Sequence, residues 1–383
     1  MASSVNLPSQ LFTMTIAVLG AGMVGRAIAL DLAKDYSVTS FDLNAVNLDE
    51  LKSRNDSVQT VAADLSQFAE YKNWFSPFDI VVTAVPGFMG YKTLEAVINA
   101  GKNVVDISFF PEDALQLDNL AKKKNVTAIV DCGVAPGVSN FIIGRYNEEI
   151  KIDSFECYVG GLPQNPKPPF NYKAPFSPVD VIQEYLRPAR SVENGVIVTK
   201  PALSERELMH FDKVGELEAF NTDGLRSLIF TMGHIPDMKE KTLRYPGHID
   251  LIIALQQAGF FDTTPLRISE LDITPLEFTS RLLMNEWKLG PEEEEFTVMK
   301  VIVKGEGKTV EYNLLDGYDT TTKTSSMART TGYTCTAAVN LIAKNLFNEK
   351  GLFPPELVGK DKKCFDFVMN YLKQRNVIWK KTE

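Results

Sequence analysis

The sequence predicts an α/β chain in which an N-terminal doubly wound parallel sheet is followed by a second domain of α+β texture. Two observations carry the prediction. Apolar runs alternate with helical patterns over the first third of the chain, and a glycine-rich turn follows the first run directly. The runs Ile16–Leu19, Ile80–Val82, Asn103–Ile107 and Thr127–Val130 read as strands buried on both faces. Between them, Val24, Ala27, Ile28 and Leu32 share one helical face, and Leu94, Val97 and Ile98 share another.

After about Val134 the texture changes. Ser154–Val159 alternates like a half-buried strand and runs into Gly160-Gly161, and the stretch from Leu162 to Pro178 holds six prolines, too many for a regular element. Lys241–Tyr245 is an isolated strand candidate. Phe296–Val303 and Thr309–Leu315 read as a hairpin turning at Gly305 and Gly307, and the four glutamates 292–295 as a solvated surface turn. The tail is helical at Thr334–Phe347 and Phe365–Gln374, with a strand candidate at Val377–Trp379. Its return to the first domain makes the second an insertion. The expected division is a cofactor domain over 14–133 completed by 328–383, with a substrate-binding and dimerisation domain over 134–327.

Bulk properties exclude several classes. A length of 383 residues allows two domains, and 44% hydrophobic content is ordinary for a globular protein. A net charge of −9 argues against a nucleic-acid partner. No run approaches the about 18 apolar residues of a membrane span. The segment before Met14 has neither a basic start nor an apolar core, so no signal peptide is expected. Cys132, Cys157, Cys335 and Cys364 lack metal-ligand spacing and read as reduced thiols of a cytoplasmic protein with no metal site.

Gly20-Ala21-Gly22-Met23-Val24-Gly25 is a G-x-G-x-x-G turn between a strand and a helix. Its first glycine permits the tight turn, the second a close approach of backbone to a diphosphate, and the third close helix–strand packing. The diphosphate would rest on the unpaired N–H groups at the helix start, over Met23 and Val24. The second strand, Val38–Phe41, ends in Asp42, 22 residues after Gly20, where a carboxylate accepts from ribose hydroxyls. That carboxylate would repel a 2′-phosphate and no arginine adjoins it, which predicts NAD rather than NADP. This is the fingerprint of a Rossmann domain. Ala63-Asp64-Leu65 should end the third strand, where Asp64 is a candidate for the adenine amine or equally for a helix cap, and Ala84, Val85 and Pro86 should pass the nicotinamide ribose.

Four ordered motifs give a wider likeness: Asp131–Gly137, Tyr158–Pro163, Thr242–His248 and Ser326–Tyr333. With the glycine turn they resemble the saccharopine dehydrogenase family of the saccharopine reductase type, nearest its lysine 6-dehydrogenase branch, over about residues 14–347. The resemblance implies a catalytic domain with a mixed sheet inserted into the Rossmann domain, a homodimer or larger, and reversible oxidation of a carbon–nitrogen bond in a lysine-derived substrate. True saccharopine reductases carry Asp where this chain has Ala135 and Cys where it has Val159. Asp106–Phe110 lacks the double glycine of the lysine 6-dehydrogenase branch.

Candidate site residues follow from chemistry. Hydride leaves a carbon that bears a neutral amine, while a free lysine ε-amine has a pKa of about 10.4, so a base or a desolvating pocket is required. Asp106 and Asp131 end strands where ligands bind in open α/β sheets. Asp131 is the first choice for binding the ammonium and assisting its deprotonation, or for activating water on the imine, with a loop carboxylate that caps a helix as the alternative. Cys132 beside it reads more readily as a packed thiol. Arg244 is the candidate for gripping a substrate carboxylate, with Lys173 beside Tyr172 a second candidate. His248 is either a proton relay or a structural histidine, and Asn221, Thr222 and Asp223 lie either at the substrate's amino end or in a polar turn.

The leading expectation is oxidative deamination of an amino acid, with L-lysine at its ε-carbon as the specific case. Reductive condensation of an amine with an aldehyde, giving a saccharopine- or carboxynorspermidine-like product, is the alternative. It asks for a second arginine facing Arg244, for which Arg226 is the candidate. A catalytically silent NAD-binding sensor is the third reading.

Overall fold

The computed structural model describes residues 14–290 and 293–383. The leader reading before Met14, and Glu292 of the glutamate run, lie outside the described residues. Six strands follow in the first part: β1 (Thr15–Leu19), β2 (Ser37–Asp42), β3 (Gln59–Ala62), β4 (Ile80–Thr83), β5 (Asn103–Asp106) and β6 (Thr127–Ile129). Helix α1 (Met23–Leu32) links β1 to β2, and α2 (Ala45–Arg54) links β2 to β3. In β1, Ile16 and Val18 enter one apolar core while Ala17 and Leu19 enter another on the opposite face. A strand covered on both sides has no polar face to alternate with, which is why it reads as an unbroken apolar run.

The second part holds β7 (Ser154–Pro163), β8 (Ala189–Glu193), β9 (Val196–Lys200), β10 (Glu207–Phe211), β11 (Gly215–Asn221), β12 (Asp237–Arg244), the small hairpin β13 (Leu266–Ile268) and β14 (Leu271–Ile273), then β15 (Glu295–Gly305) and β16 (Lys308–Gly317). The chain closes through helix Ser326–Ala343, β17 (Gly351–Phe353), helix Lys362–Gln374 and β18 (Trp379–Thr382).

The first sheet is parallel, in the order β17-β6-β5-β4-β1-β2-β3. Its strand order reverses beside β1, and the crevice at that switch point is where such sheets bind ligands. The second sheet is mixed: β10-β11-β12-β7-β15-β16-β18, with β8 joined to β12, β9 joined to β8, and β7 parallel to β12. The β15–β16 hairpin turns on Glu306 and Gly307, both at positive φ, the two-residue turn whose twist suits paired strands.

Helix Ser326–Ala343 packs on α1, and Asp31 of α1 fastens the tail there. Buried Asp31 accepts from Arg375 Nε at 2.8 Å, Tyr371 Oη at 2.9 Å and Thr336 Oγ1 at 2.7 Å. One element departs from the expected return. The last strand begins at Trp379 rather than Val377, and it pairs with β16 of the second sheet, so the tail serves both sheets.

Three boundaries also shift. The helix expected from Thr334 starts eight residues earlier at Ser326, because Ser325 caps it by accepting from Ala328 N. The strand expected over 241–245 is β12, which starts at Asp237. The third strand ends at Ala62, before Asp64. The glutamate run is no solvated turn at its end: Glu295 is buried in β15 with its carboxyl at the N-terminus of helix Ser326–Ala343, where it accepts from Ser326 N. Burial pushes it up to about 8.

Candidate active site

The two sheets face one another across a cleft of about 1220 Å³. Its first wall is the glycine turn. Gly20 has φ +102°, and a Cβ there would lie 2.4 Å from Ala84 O. A Cβ on Gly25 would lie 2.0 Å from Gly20 O, whereas one on Gly22 meets nothing within 4 Å and opens onto the cleft. Thus Gly20 and Gly25 let the turn and helix close on themselves, and Gly22 leaves a cradle at the N-cap of α1. A diphosphate fits that cradle, where the first N–H groups of α1 lack helical partners.

Asp42 borders the same cleft, its Oδ2 accepting from Ala21 N at 2.6 Å and its Oδ1 from Asn44 N at 2.7 Å. These bonds aim the carboxylate beside the glycine turn. Leu43 and Val46, both largely exposed, supply an apolar edge next to it. Met23, Val24, Ala84, Val85 and Pro86 line the wall as expected from their positions. Asp64 also reaches it, but its carboxylate is spent on a turn, accepting from Ser66 N and Oγ. Arg26 and Arg54 also line the cleft.

The second wall comes from β7, β12, helix Pro178–Leu186 and the loop after β11. Gly160 and Gly161 make it possible. A Cβ on Gly160 would lie 2.8 Å from Leu243 Cβ, and one on Gly161 would lie 2.6 Å from Pro175 Cγ and 2.7 Å from Met327 Cε. Arg244 ends β12 on this wall, 2% exposed, with its guanidinium 4.4 Å from the centre of the Tyr172 ring. Its Nε donates to Tyr185 Oη at 2.9 Å and its Nη1 to Leu243 O at 2.9 Å. Its Nη2 is 3.5 Å from Glu184 Oε2.

His248 completes this support. Its Nδ1 faces Phe170 O at 2.9 Å, an acceptor only, so Nδ1 carries the proton. Burial and the neighbouring Arg244 pull its pKa down to about 3, so the ring is neutral and Nε2 accepts from Tyr185 Oη at 3.0 Å. The tyrosine oxygen is then free to accept from Arg244. His248 therefore positions Arg244 and does not border the cleft, which corrects the proton-relay expectation.

Two carboxyls share the wall with Arg244. Burial pushes Glu184 up to about 7, against the pull of Arg244. Glu240, on β12 four residues before Arg244, is 8% exposed, and burial pushes it up to about 8. Its Oε2 accepts from Thr222 Oγ1 at 2.7 Å, which lies 2.8 Å from Thr242 Oγ1. A Cβ on Gly224 would lie 2.3 Å from this carboxyl, so the glycine leaves room for it. Neither glutamate is among the candidates that the sequence suggests. Strand period alone does place Glu240 and Arg244 on one face of β12, and that was the available signal.

The remaining expected residues scatter. Asp131 reaches the cleft, but its Oδ1 is ion-paired with Arg226 Nε at 2.7 Å, and both are buried. Arg226 also donates to Phe110 O and lies against the Phe109 and Phe110 rings. It is not a second anchor facing Arg244. Asp106 is fully buried behind the wall, accepting from Thr83 Oγ1 at 2.5 Å. Burial raises it to about 7. Cys132 is buried off the cleft, and burial drives its thiol far above the ordinary range, which removes it as a nucleophile. Asp223 is gripped by Arg190 Nε and Nη2, each at 2.8 Å, a structural pair away from the wall. Lys173 turns away to donate to Glu286 O at 2.5 Å. Tyr172 supports Arg244 from behind, and Thr222 alone of the 221–223 turn borders the cleft.

Residues 16–129 match the saccharopine dehydrogenase NADP binding domain, and residues 133–378 match the saccharopine dehydrogenase C-terminal domain. A saccharopine dehydrogenase (NADP+, L-glutamate-forming) of Schizosaccharomyces pombe is 25% identical over 264 residues, 65% of this chain and 59% of that protein. An alpha-aminoadipic semialdehyde synthase of Arabidopsis thaliana is 24% identical over 221 residues, 54% of this chain and 21% of that protein. The chain thus spans less than two thirds of either relative.

Among solved structures, the apo saccharopine dehydrogenase (L-Glu forming) of Saccharomyces cerevisiae shares the fold at TM-score 0.76 and 19% identity, covering 96% of this chain and 99% of that one. A homospermidine synthase of Legionella pneumophila, in complex with NAD, does so at TM-score 0.69 and 13% identity, covering 97% and 91%. The chain belongs to the saccharopine dehydrogenase family, with an NAD(P)-binding domain of Rossmann type.

Proposed function

We propose that this chain oxidises the ε-amino carbon of a small diamino acid, L-lysine in the specific case, with NAD as the hydride acceptor. The cofactor domain would comprise 14–133 completed by 328–383, and the substrate domain 134–327, in a cytoplasmic homodimer or larger assembly. The observation that carries the reading is the charge pattern of the second wall. One guanidinium, Arg244, lies 3.5 Å from Glu184, and a second glutamate, Glu240, lines the same wall four residues earlier on β12. That set suits a ligand with one carboxylate and two amines. A saccharopine-like ligand carries more carboxylates and asks for a second guanidinium, and Arg226 is already committed to Asp131.

When bound, nicotinamide supplies the hydride acceptor. Arg244 would hold the substrate carboxylate, kept in place by Tyr185 and His248. Glu240 would take the proton from the ε-ammonium, because a carboxyl raised to about 8 is matched to a base working near neutral pH. Asp131 is poorly suited to that role, since its carboxylate is already ion-paired with Arg226 at 2.7 Å. Loss of hydride leaves an iminium, which one water converts to the aldehyde and ammonium. NAD over NADP is supported by Asp42, whose carboxylate at the ribose end repels a phosphate.

A second reading is favoured by the same pair of glutamates: a polyamine with no carboxylate at all. The test is dinucleotide reduction followed by absorbance over L-lysine, cadaverine, putrescine and saccharopine. Turnover of L-lysine with NAD, well above cadaverine, is expected. Activity confined to the polyamines would transfer the case to the second reading, and activity only with saccharopine would end both.

A further inference from the structure

Asp42 is not the only acid at the ribose end of the cleft. Helix α2 begins three residues after it, and Asn47, Glu50 and Arg54 follow at a spacing that places them on one helical face, all bordering the cleft. Asn47 lies 3.5 Å from Asp42 Oδ2, so this row starts at the carboxylate and leads away from it. Arg26, one residue past the last glycine of the turn, reaches the same place from α1.

Two guanidiniums at the ribose of a dinucleotide would ordinarily favour a 2′-phosphate, which they can grip bidentately. Here both are taken up by one carboxylate. Glu50 Oε2 pairs with Arg26 Nη1 at 2.7 Å, and Glu50 Oε1 with Arg54 Nη2 at 2.9 Å. Arg54 Nη1 also donates to Lys323 O at 3.1 Å. The side chains are 11% (Arg26), 24% (Arg54) and 38% (Glu50) exposed, so the bridge is partly shielded from water while one edge stays open to the cleft.

We infer that Glu50 is a specificity residue for the dinucleotide. By bridging Arg26 and Arg54 it holds two guanidiniums that would otherwise meet a 2′-phosphate, and the site selects the unphosphorylated cofactor. Asp42 and Glu50 act in sequence along the same face, one repelling the phosphate and the other withholding its partners. Removing the Glu50 charge frees both arginines without touching Asp42 or the glycine turn. The inference rests on the proposed preference for NAD and on a dinucleotide lying at the glycine turn.

The test is calorimetric titration of the full chain with NAD+ and NADP+ in wild type, Glu50→Gln, Arg26→Gln and the double variant, with thermal unfolding alongside. Wild type should bind NAD+ more tightly. Glu50→Gln should tighten NADP+ by about tenfold, the scale of one added charge-assisted hydrogen bond, with NAD+ changed less than about twofold. Adding Arg26→Gln should take back only the share of that gain that Arg26 supplies, leaving the share of Arg54, and Arg26→Gln alone should leave the NADP+/NAD+ ratio unchanged.

An unchanged ratio in a normally folded Glu50→Gln protein would overturn the inference while leaving NAD+ binding, and the dinucleotide reading, intact. So would weakened NADP+ binding in Arg26→Gln alone, since it would show Arg26 already available. Wild-type preference for NADP+ would overturn both the inference and the proposed NAD preference. Binding of neither dinucleotide would remove the dinucleotide reading and the inference with it.

Discussion

The two walls of the cleft are built in opposite ways. The cofactor wall is local: strand, turn, helix and the acid ending the next strand all lie within residues 15–42. The substrate wall draws on β7, helix Pro178–Leu186, the turn after β11, β12 and the start of helix Ser326–Ala343, segments far apart in the chain. A local site announces itself by spacing. A dispersed one is defined by which side chains the sheet brings together, and several acids there are tied up in ion pairs.

The largest effect should come where an expected catalytic acid is a structural partner. Asp131 is at φ +53°, a conformation asparagine tolerates, so Asp131→Asn changes charge and little else. It leaves Arg226 buried and unpaired, at a cost of about 3–5 kcal/mol in urea unfolding. Pairing it with Arg226→Met should recover most of the loss. If Asp131→Asn is fully stable yet inactive, Asp131 belongs to the chemistry after all.

The cofactor wall can be tested by its own glycines. Gly25→Ala puts a Cβ 2.0 Å from a backbone oxygen and should destabilise by about 3 kcal/mol. Gly22→Ala meets no protein atom within 4 Å and should shift stability by no more than about 0.5 kcal/mol. It should nevertheless weaken dinucleotide binding by about tenfold, or about 1.4 kcal/mol. Equal effects of the two on stability would remove the assigned division of labour between turn closure and cradle.

A further effect concerns pH. Glu240 moves from an ordinary 4.5 to about 8 on folding, so the native state keeps a proton that the unfolded chain releases. Its contribution to stability is full below pH 4.5 and is lost as pH rises through about 8. Glu240→Gln stays neutral, so its urea midpoint should gain on the wild type as pH rises across that window. A constant difference would show that Glu240 titrates normally.

How far the sequence can be read follows from this contrast. The parallel sheet was legible because β1, β4, β5 and β6 are buried on both faces, and the dinucleotide turn because its glycines recur at a fixed spacing between a strand and a helix. Arg244 was legible as a guanidinium at a strand end. The partners that hold it were not, because Tyr185, and His248 bonded to that tyrosine, come from separate helices. Asp106 and Cys132 sit at strand ends, as ligand-binding residues do, but their side chains point behind the wall. The glutamate run misled because charge runs usually face water, whereas Glu295 turns inward to meet a helix N-terminus. The bridge formed by Glu50 is invisible to adjacency, since Arg26 and Glu50 lie on different helices.

The most direct measurement is the ratio of kcat/KM for L-lysine over cadaverine, taken on the wild type and on Arg244→Met with NAD. Cadaverine lacks only the carboxylate, so the wild-type ratio should be large. In the variant it should fall towards one, through loss on L-lysine with cadaverine nearly unaffected. A ratio that survives the substitution, or a wild type that turns over neither amine, would contradict the assignment of Arg244 as carboxylate anchor in an amine-oxidising site.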